Sequence, residues 1–430
     1  MNRLLPTFAP RLPGALLFFT AGYLGMSLTN NLVWPRSVFF ALMCCTTLLL
    51  ILTQRREMRD RMSEVGVPLL CVLLWFLWMT ASLRWTIEPR FSVREWETEV
   101  QYAAFVFVAY FVVAHDTRSV RILTATLLTA FAILATVALA RVAIAGDVDL
   151  SPWHHGDGPW STHLVLVAPV LFALFAKPAG TRTPQLRMLL FVVLLLLLLA
   201  NARVTDNRMV WLALAASFGT AAIVAAVRWR SAFGRSPWRW MMPLAALFIV
   251  LAFALADVAH EKAGKSQNHG IAKTSVAQSL RNDPRIALWE VTVEKIRAAP
   301  WLGYGFGRGI LRQVLPAELH DPMLTHPHNT FVSQWLQTGA VGLAIFVGFA
   351  VALAWRYLRF LRSHDDVLAL MGMIGLALLA GFLVKNLTDD FFYRSNAKVF
   401  WAMTAILLAY GTVRERQGSG ARDQGLGAGG

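Results

Sequence analysis

Two histidines lie where a base and an anion would be expected to meet. His326 and His328 end a long polar stretch, and an apolar run from 331 to 355 follows directly. Asn329 is a good N-cap for the helix that this run predicts, so the positive end of that helix would lie beside His328. A helix N-terminus favours a bound anion and disfavours the imidazolium, which leaves a neutral imidazole able to accept a proton. The stretch therefore predicts a general base next to an anionic substrate.

Two arginines have the chemistry to hold such an anion, because a planar guanidinium matches the oxygens of a phosphate. Arg208 ends a polar octapeptide, 201 to 208, that follows an apolar run of only thirteen residues, 188 to 200. We expect part of the octapeptide to lie within the outer membrane boundary. An arginine at mid-bilayer costs about 2.5 to 3.5 kcal/mol, so a buried one usually marks a ligand site. Arg285 falls in the first turn of a predicted helix, and for both arginines the alternative is contact with lipid headgroups.

Two adjacent aspartates lie between the last two apolar runs, at Asp389 and Asp390. A carboxylate accepts hydrogen bonds, so it either orients an imidazole or binds a sugar hydroxyl. The competing interpretation, which we favour, is that the two aspartates pair with Arg394 and Lys398. They enter the predicted site as supporting residues.

One further cluster invites a metal-site interpretation. His154, His155 and His163 share a loop with three aspartates. Crowded Gly, Pro, Asp and Ser residues are more typical of a turn at the membrane interface, so we predict no metal there and at most a part in recognising a polar acceptor.

The three cysteines fall inside predicted spans and support neither a disulfide framework nor a metal site. They are Cys44, Cys45 and Cys71.

Composition identifies a membrane protein that crosses the bilayer many times. Of 430 residues, 57% are hydrophobic and 15% are charged, which no water-soluble domain of this length would tolerate. A helix needs about 17 to 25 apolar residues to cross the hydrocarbon. The sequence contains about twelve such runs, which start near Leu12, Val38, Val65, Val100, Ile122, Thr162, Met188, Met209, Met241, Thr330, Val367 and Val399.

The net charge of +15 does not indicate nucleic acid, because its distribution follows the membrane. With the N-terminus in the cytoplasm, the short cytoplasmic segments hold about twice as many lysines and arginines as the short external loops. This asymmetry obeys the positive-inside rule and predicts that both termini are cytoplasmic.

The predicted organisation has four parts. Residues 1–256 hold the first nine spans, and residues 257–328 form one large external segment with an amphipathic helix at 284–299. Residues 329–413 hold the last three spans, and residues 414–430 form a disordered cytoplasmic tail. The apolar stripe of the amphipathic helix is predicted to comprise Ile286, Trp289, Val293 and Ile296.

A glycine-rich segment, Gly303 to Gly309, follows that helix. Backbone N–H groups in such a segment are able to cradle phosphates, but the Lys-Ser/Thr of a P-loop is missing. We therefore predict a tight, flexible connection and no nucleotide site.

These motifs resemble those of the O-antigen ligase family, within the O-antigen ligase and polymerase superfamily. The residues that carry the resemblance are His328-Asn329 followed by nine residues and Gly339-x-x-Gly342; Arg285-x-x-x-Trp289 with Ala299-Pro300-Trp-Leu-Gly303-Tyr-Gly305-Phe-Gly307; and Asn207-Arg208-x-x-Trp211-Leu, where Asn207 replaces a commoner Ser. The early spans carry no motif that aligns.

The resemblance implies an all-α, GT-C-like glycosyltransferase in the bacterial inner membrane, surrounded by membrane lipids. It implies transfer of a glycan from undecaprenyl pyrophosphate to a sugar hydroxyl of lipid A core on the periplasmic face, with inversion and without a metal or other cofactor. His328 would be the catalytic base, and Arg208 and Arg285 would hold the pyrophosphate. His326, Asn329, Asp389 and Asp390 are the supporting candidates.

Two alternatives remain open at this point. A polymerase of the same superfamily would use two carrier-linked glycans. A transporter would account for the number of spans, but it predicts functional polar groups near the midplane of broken helices in two repeated halves. Here the polar groups gather at one face, and no internal repeat is visible in the sequence.

Overall fold

The computed structural model of the protein describes residues 11–29, 31–146, 154, 156–175, 184–229, 249, 251–253, 255–257, 284–315, 326–387, 389–390 and 392–427. Within these ranges the regular structure is helical and contains no strand. The α-helices are α1 Leu12–Met26, α2 Val33–Thr53, α3 Arg55–Val65, α4 Val67–Ala81, α5 Pro89–Trp96, α6 Tyr102–Val113, α7 Thr117–Ala145, α8 Asp157–Val167, α9 Pro184–Val204, α10 Arg208–Arg228, α11 Pro284–Ala298, α12 Ile310–Val314, α13 Thr330–Leu361, α14 Asp366–Lys385 and α15 Arg394–Gly427.

Eight helices of the described part are long and apolar enough to cross a membrane: α2, α4 extended to Arg84, α7, α8 extended to Phe175, α9, α10, α13 and α14. Helix α1 is apolar but shorter. The predicted starts of the spans lie on the described α-helices with two exceptions. Val100 lies in a π-helical turn, Glu97–Gln101, directly before α6, and Met241 lies outside the described residues. The all-α, multi-pass class is confirmed, and the count of twelve stays a prediction.

Helix α9 corrects the expectation of a short seventh span. It begins at Pro184 and continues through the polar Asn201 to Val204, so it is 21 residues long. The helix tolerates Asn201 because neighbouring groups satisfy its amide. That side chain donates to the carbonyl oxygens of Ala135 and Leu197, at 3.1 and 2.9 Å, and accepts from the Trp160 indole at 3.1 Å. A buried amide with three partners carries little desolvation penalty.

Helix α14 is at the centre of the bundle and packs against both α10 and α13. Its residues are almost all buried, and the Phe382 ring stacks on Phe400 of α15 at a centroid distance of 4.3 Å. Because α13 and α14 are antiparallel neighbours, the N-terminus of α13 lies at the same end of the bundle as the C-terminus of α14. Packing of the apolar faces thereby positions the polar segments at that end.

Helix α13 is broken at Gly339, which has φ 68° and ψ −174°. The break exposes backbone groups that a continuous helix would use itself, and the segment after α11 supplies their partners. Ala340 N donates to Pro300 O at 2.8 Å, while Tyr304 N donates to Leu336 O at 3.0 Å. A helix break in a membrane protein requires such replacement partners.

The glycine-rich segment 303–309 is fixed by the same contacts, so its predicted flexibility is wrong. Gly305 N donates to Gln337 O at 2.8 Å, and Gly307 N donates to the Gln337 side chain at 3.0 Å. A Cβ at Gly303 would lie 2.5 Å from the Leu336 carbonyl oxygen, which explains a glycine at that close approach. The backbone N–H groups of residues 303–307 are all bonded to acceptors within the protein itself.

Two helix predictions need correction. The helix predicted at 284–299 is observed as α11, but its buried face is formed by Leu288, Thr292 and Ile296, whereas Val293 is 40% exposed. The buried face of α11 differs from the predicted apolar stripe because α11 packs against α13.

The tail predicted to be disordered from residue 414 continues α15 to Gly427. Its first turns are held by ion pairs between Arg414 and Asp365 and between Arg416 and Glu64. Residues 258–283 and 316–325 of the predicted external segment lie outside the described part.

Candidate functional site

The N-terminus of α13 is capped as the sequence predicts. Asn329 is in an extended conformation, and its side-chain oxygen accepts from Phe331 N at 2.9 Å and Val332 N at 3.1 Å. Its amide nitrogen donates to Leu387 O at 2.8 Å, just beyond the end of α14. Asn329 therefore fixes both the start of α13 and the distance to the segment after α14.

The two histidines before the cap are in contact through their rings, which are tilted against each other. The ring centroids of His326 and His328 are 4.0 Å apart at an angle of 42°. His328 has φ 53°, a left-handed conformation that costs a non-glycine residue about 1 to 3 kcal/mol. Between them, Pro327 O accepts from the Trp289 indole of α11 at 2.6 Å. Trp289, the last residue of the Arg-x-x-x-Trp motif, therefore holds the turn that presents His328.

Arg308 binds His326 and is a site residue that the sequence analysis missed. Its Nη2 donates to His326 Nε2 at 2.6 Å, and its Nε donates to Asp390 O at 2.8 Å. The guanidinium carbon lies 4.1 Å from the centroid of the Tyr393 ring, in a cation–π contact. Because a guanidinium has no acceptor, His326 must accept at Nε2, so its ring is neutral and carries its proton on Nδ1. The sequence pattern that could have identified Arg308 is an arginine between Gly307 and Gly309. The sequence analysis interprets that glycine-rich segment only as a link between neighbouring elements.

The two aspartates do not have the partners that we favoured. Asp389 forms a buried ion pair with Lys385 at the end of α14, and Asp390 lies 3.8 Å from Arg308. Lys398 instead lies over the Tyr102 ring at 5.1 Å. The interpretation failed because Asp389 pairs with Lys385, four residues before it, at the end of α14. Asp390 lies instead against Thr330 and Arg308, which are far away in sequence.

A polar network joins this turn to α13. Thr330 N donates to Asn386 O at 3.0 Å, and the Thr330 hydroxyl lies 2.8 Å from Asn386 Oδ1 and 3.2 Å from Asp390 Oδ1. Thr330, Asn386 and Asp390 are all at most 5% exposed. Asp390 Oδ2 makes no hydrogen bond to the described residues and lies 3.8 Å from Arg308 Nε. The hydrogen bonds of Thr330 hold the segment after α14 against the start of α13, next to His328.

The same network reaches the start of α10 and Arg208. Asn207 is the N-cap of α10: its side-chain oxygen accepts from Met209 N at 2.9 Å, and its amide nitrogen donates to Asp389 Oδ2 at 3.3 Å. The next residue is Arg208, whose Nε is buried and makes no hydrogen bond to the described residues. The helix start that carries Arg208 and the helix start that follows His328 are thus tied to one short segment, Asp389 and Asp390.

Arg285 is only partly placed. Its backbone lies in the first turn of α11, as predicted, and its side chain lies outside the described part. Helix α11 itself is anchored at the site through Trp289. The convergence of Arg285 with Arg208 and His328 stays a prediction.

A carboxyl group on α5 also faces this region and was not predicted. Burial raises the pKa of Glu95, and the charges of Arg394 and Arg308 together with a hydrogen bond from the Arg308 backbone oppose that rise. Glu95 therefore adds a second acidic group, besides Asp390, to the surroundings of Arg308. Its position follows from the packing of α5 near the glycine-rich segment, which local sequence does not reveal.

The histidine-rich loop lies elsewhere. His154 is 1% exposed and His163 is fully buried, with their ring centroids 5.2 Å apart beside Trp160. His154 Nδ1 lies 2.5 Å from Leu28 O. These two histidines pack inside the bundle, so neither an interfacial turn nor contact with an acceptor describes them. His155 lies outside the described residues, and within the described part no group of three potential metal ligands occurs.

Comparison with known families places the site in context. Residues 189–347 match a family model described as O-antigen ligase. The matched region contains Arg208, Arg285 and His328, and it includes the glycine-rich segment that packs on α13. The resemblance that the motifs predicted is confirmed for this region.

Two curated proteins are similar to part of the chain, and both are provisionally named polysaccharide ligases. A protein of Rickettsia typhi (strain ATCC VR-144 / Wilmington) is 29% identical over 98 residues, which cover 21% of this chain and 23% of that protein. A protein of Rickettsia felis (strain ATCC VR-1525 / URRWXCal2) is 30% identical over 82 residues, which cover 17% of this chain and 19% of that protein. The chain thus spans about a fifth to a quarter of the length of these relatives. The matched segment is similar to enzymes of the glycan ligase and polymerase superfamily.

Proposed function

We propose that the protein is an O-antigen ligase, a glycosyltransferase that moves a glycan from undecaprenyl pyrophosphate to a sugar hydroxyl of lipid A core. The observation that carries the proposal is the network through Asp389 and Asp390, which ties the helix start bearing Arg208 to the helix start that follows His328. The match of residues 189–347 to an O-antigen ligase family model supports the same reaction.

His328 is the proposed general base. The acceptor hydroxyl must lose its proton as its oxygen attacks the anomeric carbon of the donor, and a positioned imidazole typically accelerates such a step by about 10² to 10⁴-fold. The strained turn at His328 holds the imidazole at the polar end of the bundle. Attack from the face opposite the pyrophosphate forms the new glycosidic bond as the bond to the pyrophosphate breaks, so the anomeric configuration inverts.

Arg208 and Arg285 are the proposed ligands of the pyrophosphate. Negative charge builds on the leaving group in the transition state, and donors fixed in advance at that position stabilise it without rearrangement. Arg208 adjoins the positive end of α10, and its buried Nε lacks a hydrogen-bond acceptor among the described residues. A phosphate oxygen is the type of acceptor that such a group requires.

Arg308 and His326 act as positioning residues in this proposal. The hydrogen bond from Arg308 fixes the His326 ring, and the His326 ring lies against His328. Arg308 is itself held by Asp390 and Tyr393. The chain of contacts keeps the imidazole of His328 in one orientation, which general base catalysis requires.

The proposed location is the bacterial inner membrane, with both termini in the cytoplasm and the site on the periplasmic side. The excess of lysines and arginines in the short loops of the opposite side supports this orientation. In that location the site meets a carrier lipid that arrives within the outer leaflet.

The product of the purified protein tests the function. The protein is incubated with lipid A core and a single carrier-linked glycan, and mass spectrometry follows the products. A ligase gives the glycan on lipid A core. A polymerase gives glycan of double length on the carrier and none on lipid A core, and that result would replace the ligase with the polymerase. Neither product, with the protein folded and the donor bound, would refute both.

A further inference from the structure

A cavity of about 400 Å³ lies in the bundle far from the candidate site. Its lining comes mainly from α7, α14 and α15, and it includes Val367 at the start of α14. Lys385, at the end of the same helix, belongs to the site network. The lining residues of α14 extend from Val367 to Ile374, and they lie 18 to 11 residues from Lys385, which corresponds to about 27 to 16 Å along the helix. The cavity therefore extends from the middle of the bundle toward the end opposite to His328.

The interior of the cavity suits hydrocarbon better than water. Leucine, isoleucine, valine, methionine and alanine side chains form most of its wall. Its polar groups are largely bonded already: the Thr117 hydroxyl lies 2.7 Å from the Tyr410 hydroxyl, and Arg414 donates to Asp365 at 2.6 Å. Water inside would find few partners, and apolar cavities of that kind stay dry. The adjacent helices α7 and α14 have the composition of membrane spans, so acyl chains are the available apolar filler.

Arg121 places a positive charge at one side of the otherwise apolar cavity. Arg121 lies on the wall and is exposed, so it marks an opening to the surroundings. The charge of Arg414 is balanced by Asp365, which leaves Arg121 as the cation of the lining that a ligand would meet. A basic opening above an apolar chamber between spans is the arrangement that binds the headgroup of an anionic lipid.

We infer that this cavity binds an anionic phospholipid, with an acyl chain inside and the phosphate at Arg121. The lipid would come from the leaflet opposite to the candidate site. The volume falls in the range of about 300 to 1,000 Å³ that is usual for small-ligand sites. Because the cavity extends toward the end of the bundle opposite to the candidate site, this inference does not rest on the proposed glycan transfer.

Native mass spectrometry of the full-length protein tests the inference. Delipidated protein is titrated with phosphatidylglycerol and with phosphatidylcholine of identical acyl chains. We expect phosphatidylglycerol to bind about fivefold more tightly, and Arg121→Ala to abolish that preference. Arg59→Ala is the matched control, because Arg59 is exposed on α3 and does not line the cavity; it should keep the preference. Equal binding of the two lipids by the unchanged protein, or an Arg121→Ala variant that keeps the preference, would overturn the inference.

A second arm asks whether the acyl chain enters the cavity. Ala173 lies on the wall, and Ala173→Phe should lower the occupancy of both lipids by filling part of the chamber. Unchanged occupancy in that variant would place the lipid on the outer surface of the bundle and contradict the inference. Should the variant fail to fold, soluble glycerol phosphate replaces the lipid in the titration. Binding far weaker than that of phosphatidylglycerol supports the inference, whereas equally tight binding would show that the headgroup alone is bound and would overturn it.

Discussion

At the scale of single residues, Arg308 sets the chemistry of its neighbour. A guanidinium offers only donors, so the 2.6 Å contact with His326 Nε2 exists only with a neutral imidazole. That ring lies against His328, the proposed base. A positive charge on His326 would oppose a second positive charge on His328 when the latter takes a proton. Keeping His326 neutral therefore favours proton transfer to His328.

Substitution of Arg308 tests this role. A charge-assisted hydrogen bond contributes about 1.5 to 3 kcal/mol, so we expect Arg308→Ala to lower kcat by about 10- to 100-fold with little change in the KM of the donor. Arg308→Lys should recover part of the loss. Arg312→Ala, at an exposed position of α12, is the control. An equal effect of Arg308→Ala and Arg312→Ala on kcat would contradict the role.

Glu95 makes a prediction about stability and pH. Burial raises the pKa of this carboxyl above its ordinary value of 4.5, so folding favours the protonated form. Its stabilising contribution is present below 4.5 and is lost as the pH rises through the raised pKa. Glu95→Gln mimics the protonated form, so its thermal stability relative to the unchanged protein should increase over that rise. Glu88→Gln, at an exposed position of the same region, should show no such trend; a Glu95→Gln difference that does not vary with pH would disprove the account.

At the scale of elements, the break in α13 joins two motifs that are distant in sequence. The Gly339-x-x-Gly342 pattern supplies the break, and the segment from Pro300 to Gly307 supplies the hydrogen-bond partners. Arg308 follows that segment directly, and His328 precedes α13. The hydrogen bonds between these two elements therefore fix the position of Arg308 relative to His328, the proposed base.

Gly339→Ala should break this interlock. A Cβ at Gly339 would overlap the Trp301 carbonyl, and a positive φ costs a non-glycine residue a further 1 to 3 kcal/mol or so. We expect a loss of several kcal/mol in unfolding free energy, measured as a reduced Tm in detergent, together with reduced activity. Gly348→Ala in the same helix is the control, because a Cβ there meets nothing within 4 Å. It should be neutral or stabilising by up to about 1 kcal/mol. Similar Tm values for the two variants would show that the break is not required.

Local features of the sequence predicted the elements, and long-range packing decided the rest. The cap at Asn329 and the start of α11 at Pro284 depend on a few adjacent residues, so both were predicted. The partners of Asp390 and the buried face of α11 depend on which segments of the chain lie opposite. Periodicity alone does not contain that information, and the same holds for Arg308 and Glu95 as residues around the site.

At the scale of the whole molecule, a polar region and an apolar cavity lie at different positions along the axis of the bundle. The polar network with His328 occupies one end, and the apolar cavity with Arg121 extends from the middle toward the other. The charge asymmetry of the short loops predicts that the His328 end faces the periplasm. Apolar runs predict twelve spans, whereas eight helices of the described part are long and apolar enough to cross a membrane. The run at Met241 lies outside the described residues.

Accessibility of single cysteines tests the orientation. In a variant that lacks the three native cysteines, Arg90→Cys on α5 and Arg59→Cys on α3 place one thiol at each end of the bundle, both at exposed positions. A membrane-impermeant thiol reagent applied to spheroplasts should label Arg90→Cys and leave Arg59→Cys unlabelled until the membrane is opened. The reverse pattern would place the candidate site in the cytoplasm.

The single-turnover rate of glycan transfer by His328→Ala tests the central claim most directly. The account predicts that the rate falls by about 10² to 10⁴-fold relative to the unchanged protein, because the base is lost. Binding of the carrier-linked donor should be retained, because the arginines remain. A His328→Ala protein that transfers glycan at the rate of the unchanged protein would contradict the account.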